Sequence, residues 1–188
     1  MQIDYKKLQS IMPFGNLTYM GIAPDYEATI LDFINDYRNS KILNKSLLTF
    51  IVCHEEYMPI INLKLFTLWS IRQLAERLTE DEHIFNAINV AEKYIHDLAD
   101  IQDLDEVLML LPTTKDPLPN FTRKQNSDWC NKRCIVGMIE KLIDMLITEE
   151  SRVLSFTYFI DCIGRDFGRT YEETQLDYLV KYFKKDAQ

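Results

Sequence analysis

Two cysteines four residues apart, Cys130 and Cys134, are the first pair whose type and spacing suggest chemistry. On a helix that spacing puts both thiols on one face, where they could supply half of a zinc site. A closed site needs two further ligands, and the candidates are Cys53, Cys162, His54, His83 and His96. Zinc sites commonly hold two ligands in a tight turn, and no such turn pattern is present. Cysteine is also among the most often buried residues, so core packing is expected for the four thiols and no metal is expected. The string Cys53-His54-Glu55-Glu56 looks reactive, yet successive helical side chains point about 100° apart and do not converge on one substrate. The pairs Glu149/Glu150 and Glu172/Glu173 fall in predicted first turns, where the helix dipole favours carboxylates and accounts for them.

Phosphate-cradling loops, HExxH, GxSxG and kinase patterns are missing from a sequence with only 5 Gly. No cofactor is expected, and nothing in the sequence marks the chain as an enzyme. The formal net charge is −8, with a sequence pI near 4.9. Nucleic-acid affinity comes largely from Lys and Arg neutralising phosphates, so DNA and RNA are poor partners for such a chain. A basic protein is a better one.

That charge is not evenly spread. Glu76, Glu80, Asp81, Glu82, Glu92, Asp97, Asp100, Asp103, Asp105 and Glu106 face only Arg77 and Lys93 as basic residues in the same stretch, which alone matches the −8 of the whole chain. Two readings are open: a solvated face with ordinary acidic first turns, or a docking surface that steers a basic partner. The second makes Glu80, Asp81, Glu82, Asp97, Asp100, Asp103, Asp105 and Glu106 the candidate binding residues. An alternative from a different class is a small-molecule or catalytic pocket lined by Trp69, Tyr94, Trp129 and Cys134. A third is a structural or regulatory subunit.

These residues must be carried by helices. An apolar period of 3 to 4 marks Ile30, Phe33, Ile34 and Tyr37 behind a capping Asp25, and a second helix is expected from Ser40 or Asn44 to about Tyr57. Residues Ile60 to Leu78 are apolar almost all round, the mark of a central helix. Thr79-Glu80-Asp81-Glu82 has the form of a capping box. It opens a stripe of Ile84, Ala87, Ile88, Ala91, Ile95 and Leu98, and Leu104, Val107, Leu108 and Leu111 mark a short helix before Pro112. Residues 112–127 carry three prolines and read as a loop. Beyond it, Asp128 caps a helix with Cys134, Ile135, Met138, Ile139, Leu142 and Leu146 inward; another follows from Glu149 to Ile163. A box at Thr170-Tyr171-Glu172-Glu173 opens the last, whose face is Leu176, Leu179, Val180 and Phe183. A short helix from Asp4 to about Met12 and an extended Leu17 to Ile22 are expected near the amino terminus. The fold class is therefore all-α, an irregular bundle of seven to eight helices with a minor extended segment. A single domain is expected, divisible into a helical core 1–111 and a three-helix part 128–188 joined by the loop 112–127. The amino terminus lacks the apolar core of a secretory signal and no run of about 18 apolar residues occurs, so the expected location is the cytoplasm, with no membrane partner.

Residues 63–108 carry a resemblance. Leu65-Phe66-Thr67-Leu68-Trp69-Ser70-Ile71-Arg72-Gln73-Leu74, then Asp81 and Glu82, then Ala87-Ile88-Asn89-Val90-Ala91-Glu92-Lys93-Tyr94 resemble the helical hairpin of small bacterial immunity proteins and related bacterial and phage proteins. The resemblance implies a non-enzymatic inhibitor that binds a co-produced toxin. A basic nuclease toxin would suit the acidic stretch, because carboxylates can stand where phosphates are expected.

Overall fold

The computed structural model describes residues 2–11, 16–39, 41, 48, 54, 56–111, 123–148 and 169–185. These form seven helices and a single two-stranded sheet, an all-α architecture. They divide into two compact units, one of residues 1–58 and 160–188, the other of residues 59–159. The division does not fall at 112–127 as the sequence suggests.

In the first unit, β1 (Gln2–Asp4) pairs antiparallel with β2 (Glu27–Thr29), setting Ile3 opposite Ala28, and both side chains are buried. Neither strand is long enough to show an alternating pattern in sequence. The segment expected to be extended, Leu17 to Ile22, is instead a turn: Gly21 N–H donates to Thr18 O at 3.1 Å and Ile22 N–H to Leu17 O at 2.9 Å. Gly21 supplies its φ of 89° at no steric cost. Leu17 and Ile22 are both buried, which explains their apolar character without a strand. Helix α1 (Tyr5–Ile11) starts as expected, with Asp4 Oδ1 accepting from Lys7 N–H at 2.7 Å.

Helix α2 (Ile30–Arg38) buries Ile30, Phe33 and Ile34, the expected stripe. Its cap is Thr29 rather than Asp25, because residues 27–29 are committed to β2 and the helix cannot open earlier. Thr29 Oγ1 accepts from Asp32 N–H at 3.1 Å. The last helix of the unit, α7 (Arg169–Lys185), already includes Thr170, so it starts earlier than the capping position expected for that residue. Its Glu172 and Glu173 do more than neutralise a helix terminus. Tyr37 Oη donates to Glu172 Oε1 at 2.5 Å, and Arg38 Nη2 donates to Asp177 Oδ1 at 2.6 Å. Arg38 Nε lies 3.0 Å from Glu173 Oε2 in a geometry too bent for a hydrogen bond, leaving an ion pair by proximity. These contacts tie α2 to α7 above the buried row of Tyr171, Leu176, Leu179 and Phe183.

The second unit is built on α3 (Ile60–Leu78), which packs against α4 (Glu82–Ile95) and α6 (Arg123–Ile147), with α5 (Ile101–Leu110) laid on α4. Pro59 sits at the cap of α3, its carbonyl accepting from Asn62 N–H at 3.0 Å and Leu63 N–H at 3.1 Å. Leu63, Phe66, Leu68, Ile71, Leu74 and Ala75 are buried, so the helix predicted to be central is central. In α4 the small residues Ala87 and Ala91 are fully buried along with Ile84 and Ile88. Helix α6 begins at Arg123, so Asp128 lies inside it rather than at its cap, and residues 123–127 are helix rather than loop. Its buried side chains run from Ile135 to Leu146. Because that face packs on α3 and α4, α6 belongs with residues 59–111 and not with the carboxy-terminal helix. The helices expected from Ser40 or Asn44 to about Tyr57 and from Glu149 to Ile163, with Cys53 and Cys162, lie largely or wholly outside the described residues.

Burial, reinforced by the hydrogen bond to Glu172, pushes the Tyr37 hydroxyl well above the usual tyrosine value. The folded state therefore holds a neutral phenol that the unfolded chain would ionise at about pH 10. Its stabilising contribution is complete below that pH and is lost as pH rises further. Tyr37→Phe should lower stability near neutrality by about 1–2 kcal/mol and remove part of the alkaline sensitivity. Chemical denaturation at neutral and alkaline pH reads both, and an unaltered alkaline slope in the variant would contradict the assignment.

Candidate functional site

The chain from the end of α3 through α5 carries the acidic stretch, and each carboxylate there can be asked what it does for the fold. Arg72 on α3 reaches α4, donating through Nη2 to Glu92 Oε2 at 2.7 Å and to Asn89 Oδ1 at 3.1 Å. Glu92 is thus spent holding the α3–α4 hairpin together. Glu76 accepts from Gln73 Nε2 at 3.3 Å.

Thr79 closes α3, its N–H donating to Ala75 O at 3.0 Å, and so cannot open α4. The expected capping box with Glu82 gives way to a cap at Asp81, whose Oδ1 accepts from His83 N–H at 3.1 Å, while Thr79 Oγ1 accepts from Asp81 N–H. Asp81 also takes Lys132 Nζ of α6 at 3.3 Å, joining the start of α4 to a second helix. Glu82 occupies the first turn of α4, where the dipole favours it.

A capping box does exist, one helix later in the chain than the Thr79–Glu82 spacing suggests, at the start of α5. Asp100 Oδ1 accepts from Gln102 N–H at 2.8 Å and Asp103 N–H at 3.1 Å, and Asp103 Oδ2 accepts from Asp100 N–H at 2.8 Å. The Asp-x-x-Asp spacing ahead of Leu104 and Val107 was the signal for it.

Between these caps, α4 ends in a complete Schellman motif. Leu98 N–H donates to Lys93 O at 2.8 Å and Asp97 N–H to Tyr94 O at 3.1 Å, with Asp97 in the left-handed region at φ 57°. Glycine usually fills this position. Asp97 also puts negative charge at a helix carboxy terminus, where the dipole disfavours it. Because the helix stops at Ile95, Leu98 does not join the α4 stripe as expected and is 75% exposed.

Three of the eight candidate residues, Asp81, Asp100 and Asp103, are therefore occupied by helix ends. Glu80, Glu82, Asp97, Asp105 and Glu106 are exposed, and their carboxylates take no hydrogen bond or ion pair among the described residues. On α5 the buried side is Leu104 and Val107. The outer side repeats at intervals of four: Ile101, Asp105 and Met109 form one row, and Gln102, Glu106 and Leu110 the next. Met109 is 83% exposed, Leu110 55% and Ile101 47%, so apolar and acidic side chains alternate across a solvent-facing surface. The run Leu108-Met109-Leu110-Leu111 was the sequence signal, since four consecutive helical positions cannot all face one core.

The alternative pocket residues lie on three helices of the same unit. Trp69 of α3 is half-buried and stacks on Phe66 at 6.1 Å, Tyr94 of α4 is half-buried, and Cys134 of α6 is half-buried. The side chain of Trp129 is outside the described structure. Cys130 is exposed and Cys134 half-buried, so neither thiol of the i, i+4 pair packs fully in the core as expected. Among the described residues no three His, Cys, Asp or Glu side chains gather as a metal site requires. His54 and Glu56 serve the first unit. Glu56 N–H donates to His54 Nδ1 at 3.4 Å, and the carboxylate accepts from Lys7 Nζ, which holds its pKa below the usual range. No described helix is long and apolar enough to cross a membrane. No protein-family model, curated protein or solved structure matches the chain.

Two substitutions separate structural from unassigned carboxylates. Asp100→Ala removes the acceptor for two amides and should cost about 1 kcal/mol, within the range of lost N-caps. Asp97→Gly should instead raise stability by about 0.5–1.5 kcal/mol, relieving a left-handed residue and an unfavourable terminal charge. Thermal melts followed by circular dichroism decide both signs, and a destabilised Asp97→Gly would show that the Asp97 side chain serves the fold.

Proposed function

We propose that this chain is a non-enzymatic protein-interaction module, of the immunity-inhibitor type, that binds a basic partner such as a nuclease toxin through its α4–α5 acidic surface. The observation that carries the reading is the surplus of carboxylates the fold does not use. Glu80, Asp97, Asp105 and Glu106 stay exposed after the caps, the first-turn Glu82 and the Arg72–Glu92 pair are accounted for. Asp97 lies where both backbone conformation and helix dipole favour another residue. A charge retained against stability suits a surface whose field steers an oppositely charged protein. The resemblance of residues 63–108 to immunity-protein hairpins supports the same reading. Its Trp69, Arg72 and Glu92 positions form a packed helix pair here.

The test uses the purified product of the open reading frame adjacent to that of this chain. Its affinity should fall as salt rises. The variant Asp97→Asn/Asp105→Asn/Glu106→Gln, which spares every cap and keeps a side chain tolerant of positive φ, should weaken binding at least tenfold and flatten the salt dependence. Unchanged affinity at low ionic strength would sink the proposal.

A further inference from the structure

The two outer rows of α5 hold more than charge. Ile101, Met109 and Leu110, with Leu98 just ahead of the helix, expose apolar side chains among Asp97, Asp105 and Glu106. Charge steering does not account for them, because apolar surface left in water contributes nothing to attracting a cation. Resting on the reading above, we propose that the outer face of α5 receives a basic amphipathic helix of the partner protein. Apolar side chains of that helix cover Leu98, Ile101 and Met109, and its flanking Lys or Arg residues meet Asp97, Asp105 and Glu106.

The choice of occupant follows from chemistry already described. A second copy of this chain docked face to face would oppose Asp105 and Glu106 to their own copies, a like-charge arrangement with no compensating cation. An anionic membrane surface is repelled for the same reason. A basic helix satisfies both components at once, because its own spacing of three and four matches the rows on α5. A ten-residue helix such as α5 is about 15 Å long, so the contact falls in the small class of interfaces and the complex is a rapidly exchanging one.

The experiment uses the full 188-residue chain and two labelled synthetic peptides read by fluorescence anisotropy. One is a lysine–leucine helix with leucines on a single face; the other is an oligolysine of equal charge. The helical peptide should bind more tightly than oligolysine. Leu98→Gln/Met109→Gln should weaken it at least tenfold at every salt concentration, with an unchanged circular dichroism melt because both side chains are exposed. Asp105→Asn/Glu106→Gln should chiefly flatten its salt dependence. Equal binding of the two peptides, insensitive to Leu98→Gln/Met109→Gln, overturns the apolar component and leaves the acidic-surface reading standing. Failure of both peptides to bind at low ionic strength overturns the two together. A concentration-dependent dimer, or binding to phospholipid vesicles, that Met109→Gln abolishes would assign the face to a second copy or to lipid and overturn the proposal.

Discussion

Burial of α3 along most of its length is the constraint on which the 59–159 unit depends. A helix apolar on nearly every side is stable in water only when neighbours cover it, and here α4 and α6 do so. The polar residues of α3 that remain are correspondingly constrained. Thr67 returns its hydroxyl to Leu63 O at 2.8 Å, and Arg72 reaches out to Glu92 and Asn89. Once α3 is covered, α4 is held in place, because its Ala87 and Ala91 are fully buried and its first turn is tied by Asp81 to Lys132.

The acidic stretch takes its pattern from that packing. Two helices must start within twenty residues of one another, and each start leaves amide groups that only an acceptor can satisfy. Asp81, Asp100 and Asp103 meet that need. The outer side of α5 has no such duty, since Leu104 and Val107 already seat the helix. Carboxylates and apolar side chains can accumulate there with little effect on folding, so this surface, unlike the caps, is left exposed by the fold.

Much of this was legible in the sequence. The all-α class, the central helix 60–78, the Ile84–Ala91 stripe and the Ile30–Ile34 face follow from period and composition, because core helices must repeat near 3.6 residues. The local concentration of negative charge is equally a property of the chain. Helix ends were less legible. Thr79 and Asp81 both satisfy the composition of a cap, and sequence spacing favoured the threonine. What decided for Asp81 was that Thr79 was already closing the preceding helix, a fact of chain geometry rather than of residue type.

By itself, then, the sequence determined the all-α class, the apolar faces of α2, α3 and α4 and where the charge lies. Only the tertiary structure decided which carboxylates are spent. It turned Glu172, Glu173 and Asp177 toward Tyr37 and Arg38, some 135 residues away in the chain for the Tyr37–Glu172 bond. It grouped α6 with α3 and α4, and it set Leu98 and Met109 in solvent beside Asp97 and Asp105. The physical reason is the same in each case. Helical periodicity is a local property written in neighbouring residues, whereas a carboxylate's partner and a side chain's exposure depend on which distant surface the fold brings alongside.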